Sequence, residues 1–169
     1  MRAADILIVT YLITFACYGC HLHGEERGSV DRRHNLPGAP LVRLDNTRVL
    51  AESNRMDQPP YSLDAPRREV VLTAILERSA HQNWTLLAAD VRSNHVHGVV
   101  ETESKPERVM NDLKSYASRC LNQANLDDHT RKRWARHGST RWLWAREHIS
   151  AAIRYAIDGQ GAVMSVFER

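Results

Sequence analysis

His95 and His97 are the first residues in this chain whose type and spacing suggest chemistry. They stand in the stretch Asn94, His95, Val96, His97, Gly98, Val99, Val100. In a β-strand, alternate side chains share a face. His95, His97 and Val99 then point one way, and Val96, Gly98 and Val100 the other. The second set is small and apolar, suited to burial under helices. The first sets two imidazoles side by side on the open face, their Cα atoms about 6.8 Å apart at a rise of roughly 3.4 Å per residue. Two such rings can converge on one divalent ion. A His-x-His pair is short, however, and two packed or solvated histidines fit the same pattern.

Two helical tyrosines, Tyr116 and Tyr155, are candidate nucleophiles. At about 100° per residue, Tyr116 falls within the apolar stripe of its helix and reads as core or half-buried. The last helix has the stripe Ile149, Ala152, Ile153, Ala156 and Ile157. Tyr155 lies roughly 130° from the centre of that stripe, so its hydroxyl is available elsewhere. Asp158 and Gln160, both oxygen donors, follow it. An ordinary exposed tyrosine has the same geometry. Beside a divalent ion, a phenol suits attack on a phosphodiester. Its reference pKa of about 10 makes it weak alone, so a metal must polarise and orient the phosphate. Two imidazoles and one oxygen leave open positions for phosphate oxygens. Magnesium or manganese suits that coordination, the imidazoles tilt the choice to manganese, and zinc stays open.

These groups must be positioned by the rest of the chain. Its 169 residues suffice for a real core, and 43% hydrophobic with 25% charged residues is ordinary for a globular domain. A net charge of +3 hints at a polyanionic partner. Three cysteines, Cys17, Cys20 and Cys120, are too few for a disulfide framework and fit a reducing compartment. The apolar run Ile6 to Cys17 is too short for a membrane span and lacks a cleavage site, so it reads as a buried strand in a cytoplasmic protein. Cys17, Cys20, His21 and His23 have zinc-ligand types but no second cysteine pair, and a reduced strand end explains them as well.

Residues 21–62 form a long polar loop insertion with a short helix near Leu44 to Met56. In it Arg27, Asp31, Arg32, Arg33 and His34 are within a loop's reach of a ligand. A helix follows from Asp64, its cap, to His81. Strands Trp84 to Val91 and Asn94 to Glu101 make a hairpin. A helix opens on a capping box, Ser104 with Glu107, and runs to about Asn122. A short strand at Arg141 to Ala145 precedes the helix Glu147 to Asp158, which stops at Gly159. The whole reads as one domain of α+β class. It is a ferredoxin-like split βαβ, with an antiparallel sheet, helices on one face and an added C-terminal helix.

The strand His95, Val96, His97 and the later helical Tyr155 resemble the single-tyrosine HUH transposases, especially the insertion-sequence-200-like and REP-associated group. The resemblance extends over Thr14 to Gly19, Asn94 to Val100, Lys114 to Arg119, and Trp142 to Gln160. It implies a ferredoxin-like core with His95 and His97 as metal ligands. It implies Tyr155 as the nucleophile that forms a covalent 5′-phosphotyrosine with single-stranded DNA. Cleavage and rejoining at hairpin or inverted-repeat ends follow from it, and the protein is expected to work as a monomer or a homodimer. In that family a Gln or Asn four residues after the tyrosine commonly supplies the third ligand. Here that position is Gly159, so Gln160 is the favoured replacement and Asp158 the other option.

From His129 to Arg146 the chain has basic residues and tryptophans but one-signed charge. Arg131, Lys132, Arg133 and Arg136 with Trp134 suit a single strand, cations tracking the backbone and rings stacking bases. Two other functions stay open. One is a non-catalytic single-stranded nucleic-acid-binding module. The other is a metal-dependent hydrolase in which the two histidines activate water.

Overall fold

The apolar run near the N-terminus forms a central strand, β1 (Val9–Ala16), in a computed structural model that describes residues 7–20 and 46–169. Arg27, Asp31, Arg32, Arg33 and His34, with His21 and His23, lie outside the described residues. The chain continues through α1 (Asn46–Ser53), α2 (Ala65–His81), β2 (Thr85–Val91), β3 (His95–Thr102) and α3 (Pro106–Gln123). It ends with β4 (Ser139–Leu143), α4 (Arg146–Ile157) and β5 (Ser165–Glu168). The strands form one sheet in the order β4-β1-β3-β2-β5, and all pairs are antiparallel. β1, α2, β2, β3, α3 and β4 thus build the expected split βαβ plan, and β5 adds an edge strand that sequence pattern did not reveal.

β1 and β3 sit at the centre and need apolar side chains on both faces. On β1, Tyr11, Ile13 and Phe15 enter one core while Leu12 enters another. The first core lies beneath α2 and α3. Val71 and Ile75 of α2, and Val109, Leu113, Ala117 and Leu121 of α3, fill it. Asp64 caps α2 through a bond from the Arg67 N–H, as its sequence suggests. The Ser104 capping box does not form. Pro106 takes the first helical position, Lys105 becomes the N-cap, and the Ser104 N–H bonds Thr102 Oγ1 at 3.0 Å instead.

The second core lies on the other face. Leu12, Ala88, Val99 and Leu143 of the sheet meet Ala152 of α4, with Ile149, Ile153 and Ile157 packed alongside. The added C-terminal helix is therefore a lid on the face the sequence reading left open. A β-bulge between Leu86 and Ala88 serves this face. Leu86 pairs with Val100 and belongs to the first core, whereas Ala88 pairs with Val99 and belongs to the second. The extra residue flips the alternation, so Asp90 comes to stand opposite His97.

The connection into β4 is tied down by buried charge. Arg133 donates to Asp127 and to Asn122 Oδ1, while Asp127 also accepts from Tyr61 and Arg67. Burial works to raise the Asp127 carboxyl, but the Tyr61, Arg67 and Arg133 bonds outweigh it and hold it below its ordinary value. The Arg133 side chain is only 3% exposed. Asp127→Ala strands that charge and is expected to cost about 3–5 kcal/mol. Urea unfolding at pH 7 measures it. Because the folded carboxyl is depressed, the difference between wild type and variant should shrink as the pH falls below the carboxylate range.

Candidate functional site

The site is assembled at the start of β3, beside α4. The His95 and His97 rings meet edge to face, 4.7 Å between centroids. The Tyr155 ring, carried by α4, stands on His97 at 5.3 Å. Packing of Ala152, Ala156 and the isoleucines turns the adjacent helix face, with Tyr155, toward the histidines. Tyr155 is 50% exposed, so its ring touches the site while much of it faces solvent. His97 is only 3% exposed. The expectation of two histidines on an open face is thus corrected, because α4 covers that face and leaves only the His95 end partly accessible.

Both rings are held at Nδ1. Thr14, opposite His97 across the β1–β3 ladder, places its Oγ1 at 2.8 Å from His97 Nδ1. Asn94 Oδ1, an acceptor, lies 2.7 Å from His95 Nδ1. The Asn94 oxygen can only accept, so His95 carries its proton on Nδ1 and Nε2 is left as its ligating nitrogen, while the Thr14 hydroxyl anchors the His97 ring at Nδ1. His97 Nε2 is buried and has no hydrogen-bond partner. Burial, then the neighbouring His95, push the His97 pKa down to about 4, while nearby Gln160 works the other way without closing a bond to Nε2. The ring is therefore neutral at pH 7.

Asp90 flanks His97 on the opposite side from Thr14, across the β2–β3 ladder. It is fully buried, and neither carboxylate oxygen has a hydrogen-bond partner. Its nearest cation is Arg92 Nη1 at 3.8 Å. Burial raises its pKa to about 6 against the opposing pull of Arg92. Arg92 Nη1 in turn donates to the Ala162 carbonyl at 2.6 Å.

The end of α4 explains which oxygen donor is at hand. A side chain at Gly159 would begin 2.7 Å from the Tyr155 carbonyl, too close without a backbone shift. Gln160 Nε2 donates to that same carbonyl at 3.0 Å and sits half-buried beside His97. Asp158 is the exposed C-cap. Among the described residues, no three His, Cys, Asp or Glu side chains converge as a ready ligand set. The orphaned, buried His97 Nε2 and the oriented His95 nonetheless fit a divalent cation, with the Gln160 amide in reach of the same place.

The other sequence candidates are placed as follows. Arg133 is buried in the Asp127 network. Trp134 packs edge to face on Phe15 at 5.1 Å and donates to the Lys114 carbonyl and Ser118 Oγ. Arg131 donates to Gln58 Oε1 and to the Pro59 and Pro60 carbonyls. Lys132 pairs with Asp57 at 2.5 Å and is exposed, as is Arg136. Trp142 and Trp144 stack in the open, 5.2 Å apart, on the far face of the sheet from Tyr155. Burial, then Cys20, push the Cys17 thiol up to about 12, and Cys20 Sγ donates to the Tyr61 carbonyl. Thr14 and Asp90 escaped sequence reading. A lone acid in an otherwise apolar strand was the available signal for Asp90.

Comparison with known proteins adds the following. The family model described as Transposase IS200 like matches residues 61–154, which include both histidines and stop one residue before Tyr155. No curated protein matches the chain. A REP-associated tyrosine transposase bound to a REP hairpin is similar at 10% identity and a TM-score of 0.49, over 94% of this chain and 70% of the other. A Deinococcus radiodurans protein assigned by inference as a transposase is similar at 15% identity and a TM-score of 0.46, over 96% and 100%.

The two buried ionisable groups pull stability in opposite directions. His97 is depressed from 6.5 to about 4, so its contribution is complete above pH 6.5 and is lost as the pH falls toward 4. Asp90 is raised from 3.8 to about 6, so its contribution appears as the pH falls through 6. The measurement is therefore a difference. In chelator, wild type should lose about 2 kcal/mol more than His97→Gln between pH 7 and pH 5, read by chemical denaturation. Parallel pH curves for the two proteins would contradict a neutral, buried His97.

Proposed function

This chain belongs to the IS200-like transposase family, and from that premise we propose that it cuts and rejoins single-stranded DNA through a covalent bond to Tyr155. One observation carries the reading: α4 lays the Tyr155 ring on His97, 5.3 Å away, beside the second histidine of the pair.

In the cleavage step the Tyr155 phenolic oxygen attacks phosphorus. The bond from phosphorus to the 3′ oxygen breaks, and that oxygen leaves as a 3′-hydroxyl after taking up a proton. The 5′-phosphate stays on Tyr155, whose own proton passes to solvent at its exposed side. Rejoining runs in reverse, a 3′-hydroxyl displacing the tyrosine, so no nucleotide cofactor is needed. A magnesium or manganese ion, when bound, would supply the Lewis acidity that polarises the scissile phosphate. His95 Nε2, His97 Nε2 and the Gln160 side chain would hold it. Asn94 keeps His95 in the ligating tautomer, and Thr14 orients the His97 ring.

Of the proposed DNA contacts, Lys132 and Arg136 are exposed and would meet phosphates, Lys132 by exchanging its Asp57 partner, while Arg131, Arg133 and Trp134 brace the backbone beside them. The substrate would be a strand with hairpin or inverted-repeat ends, met in the cytoplasm by a single HUH-type domain.

Single-stranded DNA from the gene's own flanks, incubated with manganese, should give a protein-linked band on a denaturing gel. Tyr155→Phe should abolish the band yet keep manganese binding. His95→Ala and His97→Ala should slow its formation on the order of a hundredfold, and Gln160→Ala about tenfold. Salt-sensitive binding with no adduct would favour a pure binding module. Strand scission that survives Tyr155→Phe would favour a hydrolase.

A further inference from the structure

The proposed ligands of the cation, two imidazoles and an amide, carry no negative charge, and a divalent ion held by them alone would be uncompensated in a buried place. The structure supplies one carboxylate at that place. Asp90 stands directly across the β2–β3 ladder from His97 and on its face, because the bulge at Leu87 reverses the alternation of β2. Without that extra residue Asp90 would point into the first core with Leu86. Asp90 is completely buried, and neither oxygen is hydrogen-bonded. Its Arg92 neighbour stays at 3.8 Å and spends a donor on Ala162 instead. A buried carboxylate without hydrogen bonds is costly, and ordinary packing does not require one in a strand whose neighbours are alanine and valine.

We propose that Asp90 is the charge-compensating residue of the cation site. It is a positioning residue that acts through His97 and the field it imposes, and not a ligand, since no three acidic, histidine or cysteine side chains converge there among the described residues. This rests on the reading that His95 and His97 hold a divalent ion.

Manganese affinity of the full chain, measured by calorimetry or by the electron paramagnetic resonance of free Mn2+, tests it alongside melting in chelator. Asp90→Asn and Asp90→Val should both weaken manganese binding about tenfold to a hundredfold. Both should melt in chelator at or above the wild-type temperature, because each removes a buried carboxylate that has no hydrogen bond, and Arg92 keeps its bond to the Ala162 carbonyl. Unchanged manganese affinity in the two variants, with His97→Ala abolishing binding, would overturn the role of Asp90 and leave the metal pair standing. Loss of folding in both variants would mean the carboxylate holds the sheet through Arg92 and would likewise overturn it. A wild-type chain that binds no manganese would sink this inference and the metal reading together.

Discussion

Everything at the site depends on β3 being buried from both sides. Its alternation sends Val96 and Val100 into the core under α2 and α3, and His97 and Val99 into the core under α4. Val99 is the apolar anchor that lets α4 settle through Ala152 and the isoleucines. Once the helix is seated there, Tyr155 has little choice of neighbour. The small alanines at 152 and 156 allow close approach, and the next position around the helix brings a ring over His97. The same hydrophobic contact thus stabilises the lid and sets the distance between the candidate nucleophile and the candidate metal pair.

Close packing imposes a cost on the polar groups it covers. His97 is pressed between Thr14, Asp90 and Tyr155, with one nitrogen bonded and the other bare. An unmade hydrogen bond at a buried group costs roughly 1–3 kcal/mol. Two such groups side by side, a neutral imidazole and a carboxylate, are a poor arrangement for stability and a good one for receiving a cation. The cost at this pair is electrostatic and not conformational, since both residues lie in regular strand.

The sequence disclosed the elements whose signals are local. Asp64 and Pro66 marked the start of α2, the hairpin around Arg92 and Ser93 was legible, and helical phase alone separated Tyr155 from the buried face of α4. What stayed hidden is what depends on pairing across the sheet. The bulge in β2 has no strong sequence mark, and it decides the face on which Asp90 lies. β5 is four residues long and owes its strand state to β2. The surroundings of the basic stretch were hidden for a related reason. Its lack of acidic residues holds only along the chain, because Asp127, Asp57 and backbone carbonyls of residues 59 and 60 reach it through space. Counting charge in a window cannot see partners supplied from elsewhere.

The segment after α4 ties the helix end to the neighbourhood of the histidines. The Tyr155 carbonyl is one of the acceptors that a helix C-terminus leaves without an intrahelical partner. A side chain at 159 would crowd that carbonyl, whereas Gln160, one residue on, bonds to it and lies beside His97. Gly161 then takes a φ of +84°, a conformation open to glycine, and the backbone turns so that Arg92 reaches the Ala162 carbonyl. The turn ends in β5, which pairs Val166 with Asp90 and closes the remaining side of the buried carboxylate. One short stretch therefore places an amide at the histidines and keeps water from the acid beneath them. Glycine at 159 leaves the Tyr155 carbonyl open to the Gln160 amide, so the turn and the amide are placed by the same two residues.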